Sequence, residues 1–201
     1  MESILNYLYG KYAPHALILY GSYADGTAGE GSDFDALILA EGEAKHDVTV
    51  VDGTQLDVWV YPVEYFAEDA GLEEAVTILD GIVLHDPEGL GAALKDRVQA
   101  YWAAKPGKTA EENAASLAWC RKMLCRTARA DAEGFFRWHW LLGDSLEIAC
   151  DLLYQPYRGP KKSLRWLEAA HPAVYAVYAR ALSAFTQEAL RAWIDCLEGL
   201  L

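Results

Sequence analysis

Leu17-Ile18-Leu19-Tyr20-Gly21-Ser22, ten further residues, then Asp33-Phe34-Asp35-Ala36-Leu37-Ile38-Leu39: the fold of the first half of this chain turns on this stretch. His15 to Tyr20 is an apolar run bounded by Pro14 and Gly21, which predicts a buried strand. Gly21-Ser22 closes it. A Gly-Ser turn offers backbone N–H groups and a hydroxyl to a phosphate. Residues 23–32 hold three glycines and no apolar period, so they read as a loop, with room for one helical turn starting at Ser22. Asp35 to Ala40 predicts a second strand. Two aspartates at i and i+2 on a strand point the same way, so Asp33 and Asp35 can share hard divalent cations.

Working outward, residues 2–12 place Ile4, Leu5, Leu8 and Tyr12 on one helical face, and Pro14 ends that helix. Val48–Val51 and Gln55–Tyr61 form a predicted hairpin around Asp52-Gly53. Strand alternation puts Asp57 with Gln55 and Trp59 on one face, and Leu56, Val58 and Val60 on the other. A carboxylate inside an apolar strand is costly to bury unpaired. A cation shared with Asp33 and Asp35 would compensate it. Short helices are expected from Pro62 to Asp69 and from Leu72 to Leu79, a short strand at Ile82–Leu84, and a helix over 88–104.

Lys105-Pro106-Gly107-Lys108 is the best linker. Beyond it lie all four cysteines, the charge balance changes and strand patterns vanish. Helical periods run over 110–131, 134–154, 162–170 and 172–200, the last with Val174, Tyr178, Leu182, Phe185, Leu190 and Ile194 inward. The expected fold class is α+β. A mixed-sheet domain (1–104) precedes an all-α antiparallel bundle of four helices (108–201).

Net charge is −13, but residues 1–105 carry −14 and residues 106–201 carry +1. An acidic domain repels a nucleic acid backbone, so a polymeric DNA or RNA partner is disfavoured. Metal ions and cationic small molecules suit it better, although acids also simply keep a small domain soluble. No run approaches the roughly 18–20 apolar residues of a membrane helix. Met1-Glu2-Ser3 opens no basic-then-apolar leader, so a cytoplasmic protein without a membrane partner is expected. Cys120, Cys125, Cys150 and Cys196 lack Cys-x-x-Cys spacing and read as reduced thiols in helices.

The combination of Gly21-Ser22, Asp33-Phe34-Asp35 and Asp57 on a later strand resembles the DNA polymerase β-type nucleotidyltransferase superfamily. The small bacterial members look nearest: kanamycin and lincosamide nucleotidyltransferases, and the minimal nucleotidyltransferases of toxin–antitoxin pairs. The motif covers about residues 15–61. The resemblance implies that Gly21 and Ser22 meet the phosphates of ATP or another nucleoside triphosphate. It implies that Asp33, Asp35 and Asp57 hold two Mg²⁺ ions, Asp57 serving the catalytic one. The implied reaction transfers a nucleoside monophosphate, AMP in the first instance, to a hydroxyl of a small molecule such as an aminoglycoside. Two alternatives stay open: AMP transfer to a protein side chain, and a non-catalytic nucleotide-binding module. Relatives can build one cleft across a dimer, which leaves a homodimer open.

In kanamycin-type enzymes a carboxylate of the helical domain acts as general base. Asp144, Glu147 and Asp151 stand at i, i+3 and i+7, and Glu147 is the first candidate, with Asp144 second. The same spacing also describes a solvated acidic stripe. Arg158, Lys161, Lys162 and Arg165 crowd one loop and helix start. Lys161 and Lys162 are candidates to neutralise the triphosphate, and a surface basic patch is the competing reading. Trp138, Trp140, Tyr154, Tyr157 and Trp166 could wall a pocket, although aromatics on helices more often form core.

Overall fold

The computed structural model describes residues 1–129 and 131–201, with the side chains of residues 69 and 70 outside that description. Two compact units result, Met1–Lys105 and Pro106–Leu201. A mixed sheet in the first and a run of helices in the second make the chain α+β, as the sequence patterns predict.

In the first unit the strands are β1 (Ala16–Leu19), β2 (Phe34–Leu39), β3 (Lys45–Asp47), β4 (Val50–Val51), β5 (Thr54–Tyr61) and β6 (Ile82–His85). They run in the order β3-β5-β2-β1-β6, and β4 pairs with β5. Only the β2–β5 pair is parallel; β1 is antiparallel to both β2 and β6, and β5 to both β3 and β4. Asp52 (φ 50°) and Gly53 (φ 80°) are both left-handed, as a tight β4–β5 hairpin requires.

Helix α1 (Glu2–Tyr12) covers one sheet face, packing Ile4, Leu8 and Tyr12 on Leu17, Leu19, Phe34, Ile38, Leu56 and Val58. On the other face, Ile18, Leu37 and Leu39 meet Phe66 and Ile78 of two 3₁₀ turns (Val63–Phe66, Ala75–Asp80), Leu72 of α3 (Asp69–Glu74), and Leu94 and Val98 of α4 (Leu90–Ala104). The expected helices at 62–69 and 72–79 thus become two 3₁₀ turns around one short α-helix.

Strand β3 was not predicted, because Lys45-His46-Asp47 shows no apolar alternation. A buried carboxylate anchors it. Asp47 accepts from the Tyr12 hydroxyl at 2.6 Å, the Lys11 ammonium at 2.9 Å, the Tyr7 hydroxyl at 3.2 Å and the Thr49 N–H at 3.0 Å. Burial pushes its pKa up, but the bonds from Thr49, Tyr12 and Lys11 prevail and hold it well below the usual carboxylate range. Asp47→Ala is therefore expected to cost about 2–3 kcal/mol at neutral pH, the scale of hydrogen bonds to a charged group. The folded pKa lies below the unfolded value of about 3.9, so this contribution is complete above that value. It fades as pH falls through the folded pKa. Urea denaturation of wild-type and variant at pH 7 and pH 3 checks both statements: the gap should narrow in acid.

Among the described residues the second unit has five helices, not the four expected: α5 (Ala110–Thr127), α6 (Ala132–Leu152), α7 (Gly159–Ala170), α8 (Pro172–Ala184) and α9 (Gln187–Glu198). The expected helix over 110–131 ends by Thr127, and its residue 130 lies outside the described residues. The single helix expected over 172–200 is two. Phe185 adopts φ 49°, and the Thr186 hydroxyl caps α9 by accepting from the Ala189 N–H at 3.2 Å. An apolar period running on across the break hid it, although Thr186 followed by Glu188 is a helix-start signal. Trp193, fully buried, donates its indole N–H to the Ser145 hydroxyl at 2.8 Å within the core built by Leu141, Leu146, Leu190 and Ile194. All four cysteines are free thiols on these helices, and burial pushes the Cys120 thiol up to about 12, as for an inert core group.

Candidate active site

The strand registers bring the motif residues together. Leu19 pairs with Ala36, and the next residue, Tyr20, donates its N–H to the Asp35 carbonyl at 3.0 Å. Gly21 follows at once, opening the short helix α2 (Gly21–Asp25) with φ 68°. It lies directly under the Asp35 side chain: a Cβ at this position would stand 2.1 Å from Asp35 Oδ2. Only glycine combines that backbone conformation with that approach. Ser22, half-buried, sits in the first turn of α2, where N–H groups have no intrahelical acceptor.

On the other side of β2, the parallel register pairs Asp35 with Asp57. Both point to the same face as Leu37 and Trp59. Helices cover that face farther along the strands, but the Asp35–Asp57 end remains open as a cleft of about 780 Å³. Tyr20, Leu37, Trp59, Tyr61, Glu74 and Thr77 also line it. Among the described residues lining it, the carboxylates of Asp35, Asp57 and Glu74 outnumber the one ammonium, that of Lys45. Burial first, then the Asp57 and Asp35 charges, push the Tyr20 phenol well above its ordinary value. Burial and Glu74 push Tyr61 up to about 12.

Asp33 precedes β2 and is exposed. Among the described residues no group of three or more His, Cys, Asp or Glu side chains is gathered to hold a metal. The structure thus brings Asp35 and Asp57 together and leaves Asp33 outside a three-carboxylate cluster. That donor set still fits a magnesium-type ion, which takes one or two carboxylates and completes its shell with substrate phosphates and water. The field that raises Tyr20 is the field such a cation would relieve.

One residue at the site was missed. His46 of β3 places Nε2 2.5 Å from Asp57 Oδ1, and its ring stacks on Trp59 at 4.1 Å with 4° between planes. The signal required the β3–β5 pairing, which sets His46 opposite Trp59.

The remaining candidates lie in the second unit. Glu147 and Asp144 line a shallow depression of about 430 Å³ with Lys108, Ser116 and Trp119. Asp144 accepts from the Trp140 indole at 2.5 Å, and Asp151 pairs with Lys108 at 2.7 Å. Lys161 and Lys162 belong to α7. Of the aromatics, Trp138 is core, while Trp140 and Tyr154 are exposed.

A family model described as a nucleotidyltransferase domain matches residues 1–84, which enclose Gly21, Ser22, Asp33, Asp35 and Asp57. No curated protein matches the chain. Among solved structures it is similar to a nucleotidyltransferase-like protein from Exiguobacterium sibiricum. The two are 13% identical with a TM-score of 0.44, over 100% of this chain and 74% of that one. No helix of the described residues is long and apolar enough to cross a membrane. Residues 1–84 thus match a nucleotidyltransferase domain, and the match encloses the motif that carries the resemblance.

Proposed function

We propose that the chain transfers a nucleoside monophosphate, AMP from ATP, to a hydroxyl of a small cationic acceptor of the aminoglycoside kind. The observation that carries this reading is the juxtaposition of Gly21, Asp35 and Asp57 by two strand registers, with Asp35 and Asp57 lining an electronegative cleft. Carboxylates there, and a charge of −14 over residues 1–105, suit a polycationic acceptor.

Chemically, the acceptor oxygen forms a bond to the α-phosphorus while the bond from that phosphorus to the bridging oxygen of the β-phosphate breaks, and pyrophosphate leaves. Asp35 and Asp57 would hold Mg²⁺, and Asp33 is a further candidate ligand on the strength of the family resemblance alone. When bound, it supplies charge neutralisation at the triphosphate and lowers the pKa of the attacking hydroxyl. Gly21 lets backbone approach the phosphates, and Ser22 donates its hydroxyl to them. Asp57 takes the hydroxyl proton in this scheme, a role drawn from the family resemblance. Glu147 is a second candidate base, and Lys161 and Lys162 are candidate phosphate partners, on the strength of the family resemblance alone.

The test supplies ATP labelled at the α-phosphate, Mg²⁺ and a panel of hydroxylated amines, then separates small-molecule from protein fractions. Label in a small product with equimolar pyrophosphate supports the proposal. Label confined to protein would replace it with protein AMP transfer. ATP binding with no transfer to either would point to a nucleotide-binding module.

A further inference from the structure

Among the described residues, the side chain hydrogen-bonded to Asp57 is that of His46, at 2.5 Å from Nε2 to Oδ1. The pair is open to solvent, with the two side chains 37% and 42% exposed, so it adds little to folding. Its consequence is local. The bond to Asp57 Oδ1 comes from the neighbouring strand β3 and so restricts the side-chain torsion that aims the second oxygen.

The imidazole is in turn braced. Cross-strand pairing sets His46 against Trp59, and the two rings lie flat on each other at 4.1 Å. Trp59 continues into a near-parallel contact with Tyr61 at 6.0 Å and 12°, and Tyr61 packs on Tyr65 at 4.4 Å. Tyr65 donates to Glu74 at 2.9 Å. A file of rings along the cleft floor therefore ends on the carboxylate of Asp57.

We infer that His46 is a positioning residue: stacked on Trp59, it fixes one oxygen of Asp57 and leaves the other aimed into the cleft for the divalent cation. The inference rests on the reading of Asp57 as a cation ligand. Partners behind a ligating group typically change metal affinity 10–100-fold when removed.

The test measures Mn²⁺ affinity in the presence of a non-hydrolysable ATP analogue, from the electron paramagnetic resonance of free Mn²⁺. Wild type, H46F, H46Q and D57N are compared after circular dichroism shows each folded. H46F keeps a ring to stack on Trp59 and loses the N–H donor; H46Q keeps a donor and loses the ring. The expected result is weaker Mn²⁺ binding in D57N, a loss of about 10–100-fold in H46F, and recovery of most of that loss in H46Q. Binding by H46F as tight as wild type or tighter, with D57N weakened, overturns the role of His46 alone. H46Q as weak as H46F also overturns it, since a side-chain N–H donor at this position would then fail to restore Asp57. Unchanged binding in D57N overturns the reading of Asp57 beneath it.

Discussion

Gly21→Ala is expected to lower nucleotidyl transfer by about 100-fold, the scale of a reacting group displaced by about 1 Å. Two separate constraints meet at this residue. Its backbone is left-handed at φ 68°, which costs an L-residue about 1–2 kcal/mol. The added methyl would also stand 2.1 Å from Asp35 Oδ2, a distance that atoms do not tolerate. Either the turn unwinds or Asp35 swings out of the cleft. In both cases the Gly21 turn and the Asp35 carboxylate lose their mutual placement. Thermal denaturation should show a modest loss of stability, while transfer collapses out of proportion to it. A variant that kept wild-type transfer would mean that Gly21 serves the turn alone.

Asp35→Asn is expected to reduce transfer by at least about 10²–10³-fold, the usual cost of removing one preorganised charge-stabilising group. The substitution keeps the shape of the side chain, and the Asp35 carbonyl still accepts from Tyr20. The fold should therefore survive. What changes is charge. The paired position Asp57 would be left as the sole carboxylate of the two at this register. The Tyr20 phenol supplies an independent readout of the same field. Burial and the Asp57 charge continue to raise its pKa, but the Asp35 contribution disappears, so Tyr20 should ionise at lower pH in the variant. The difference in phenolate absorbance between proteins with and without Tyr20→Phe isolates that shift from the other tyrosines, without any acceptor.

Much of the site was legible because it is carried by local patterns. The apolar run before Gly21, the polar loop, and the carboxylates entering β2 identify a strand–turn–strand unit. Period-2 alternation assigns Asp57 to the face of Trp59, where the structure has it. The relation between these pieces was less legible. That Gly21 sits under Asp35 follows from the antiparallel β1–β2 register, and that Asp57 sits beside Asp35 follows from a parallel β2–β5 pairing across a hairpin. Side-chain period does not specify which strands are neighbours.

His46 shows the limit most clearly. It lies on a three-residue strand held by the Asp47 network to α1, and no amphipathic signal marks it. Its bond to Asp57 spans eleven residues of chain and exists only once β3 has paired with β5. In the helical half, the opposite difficulty arose. Continuous apolar spacing from Val174 to Ile194 described one helix, and the turn at Phe185–Thr186 was masked by core residues that keep the period on both sides.

The most direct test of the central claim is equilibrium binding of ATP to the wild-type chain and to Asp35→Asn, each with Mg²⁺ and with a chelator, followed by calorimetry. Wild-type binding is expected to depend on Mg²⁺, and the variant to lose that dependence together with most of its affinity. Equal Mg²⁺-dependent binding by both proteins would contradict the claim.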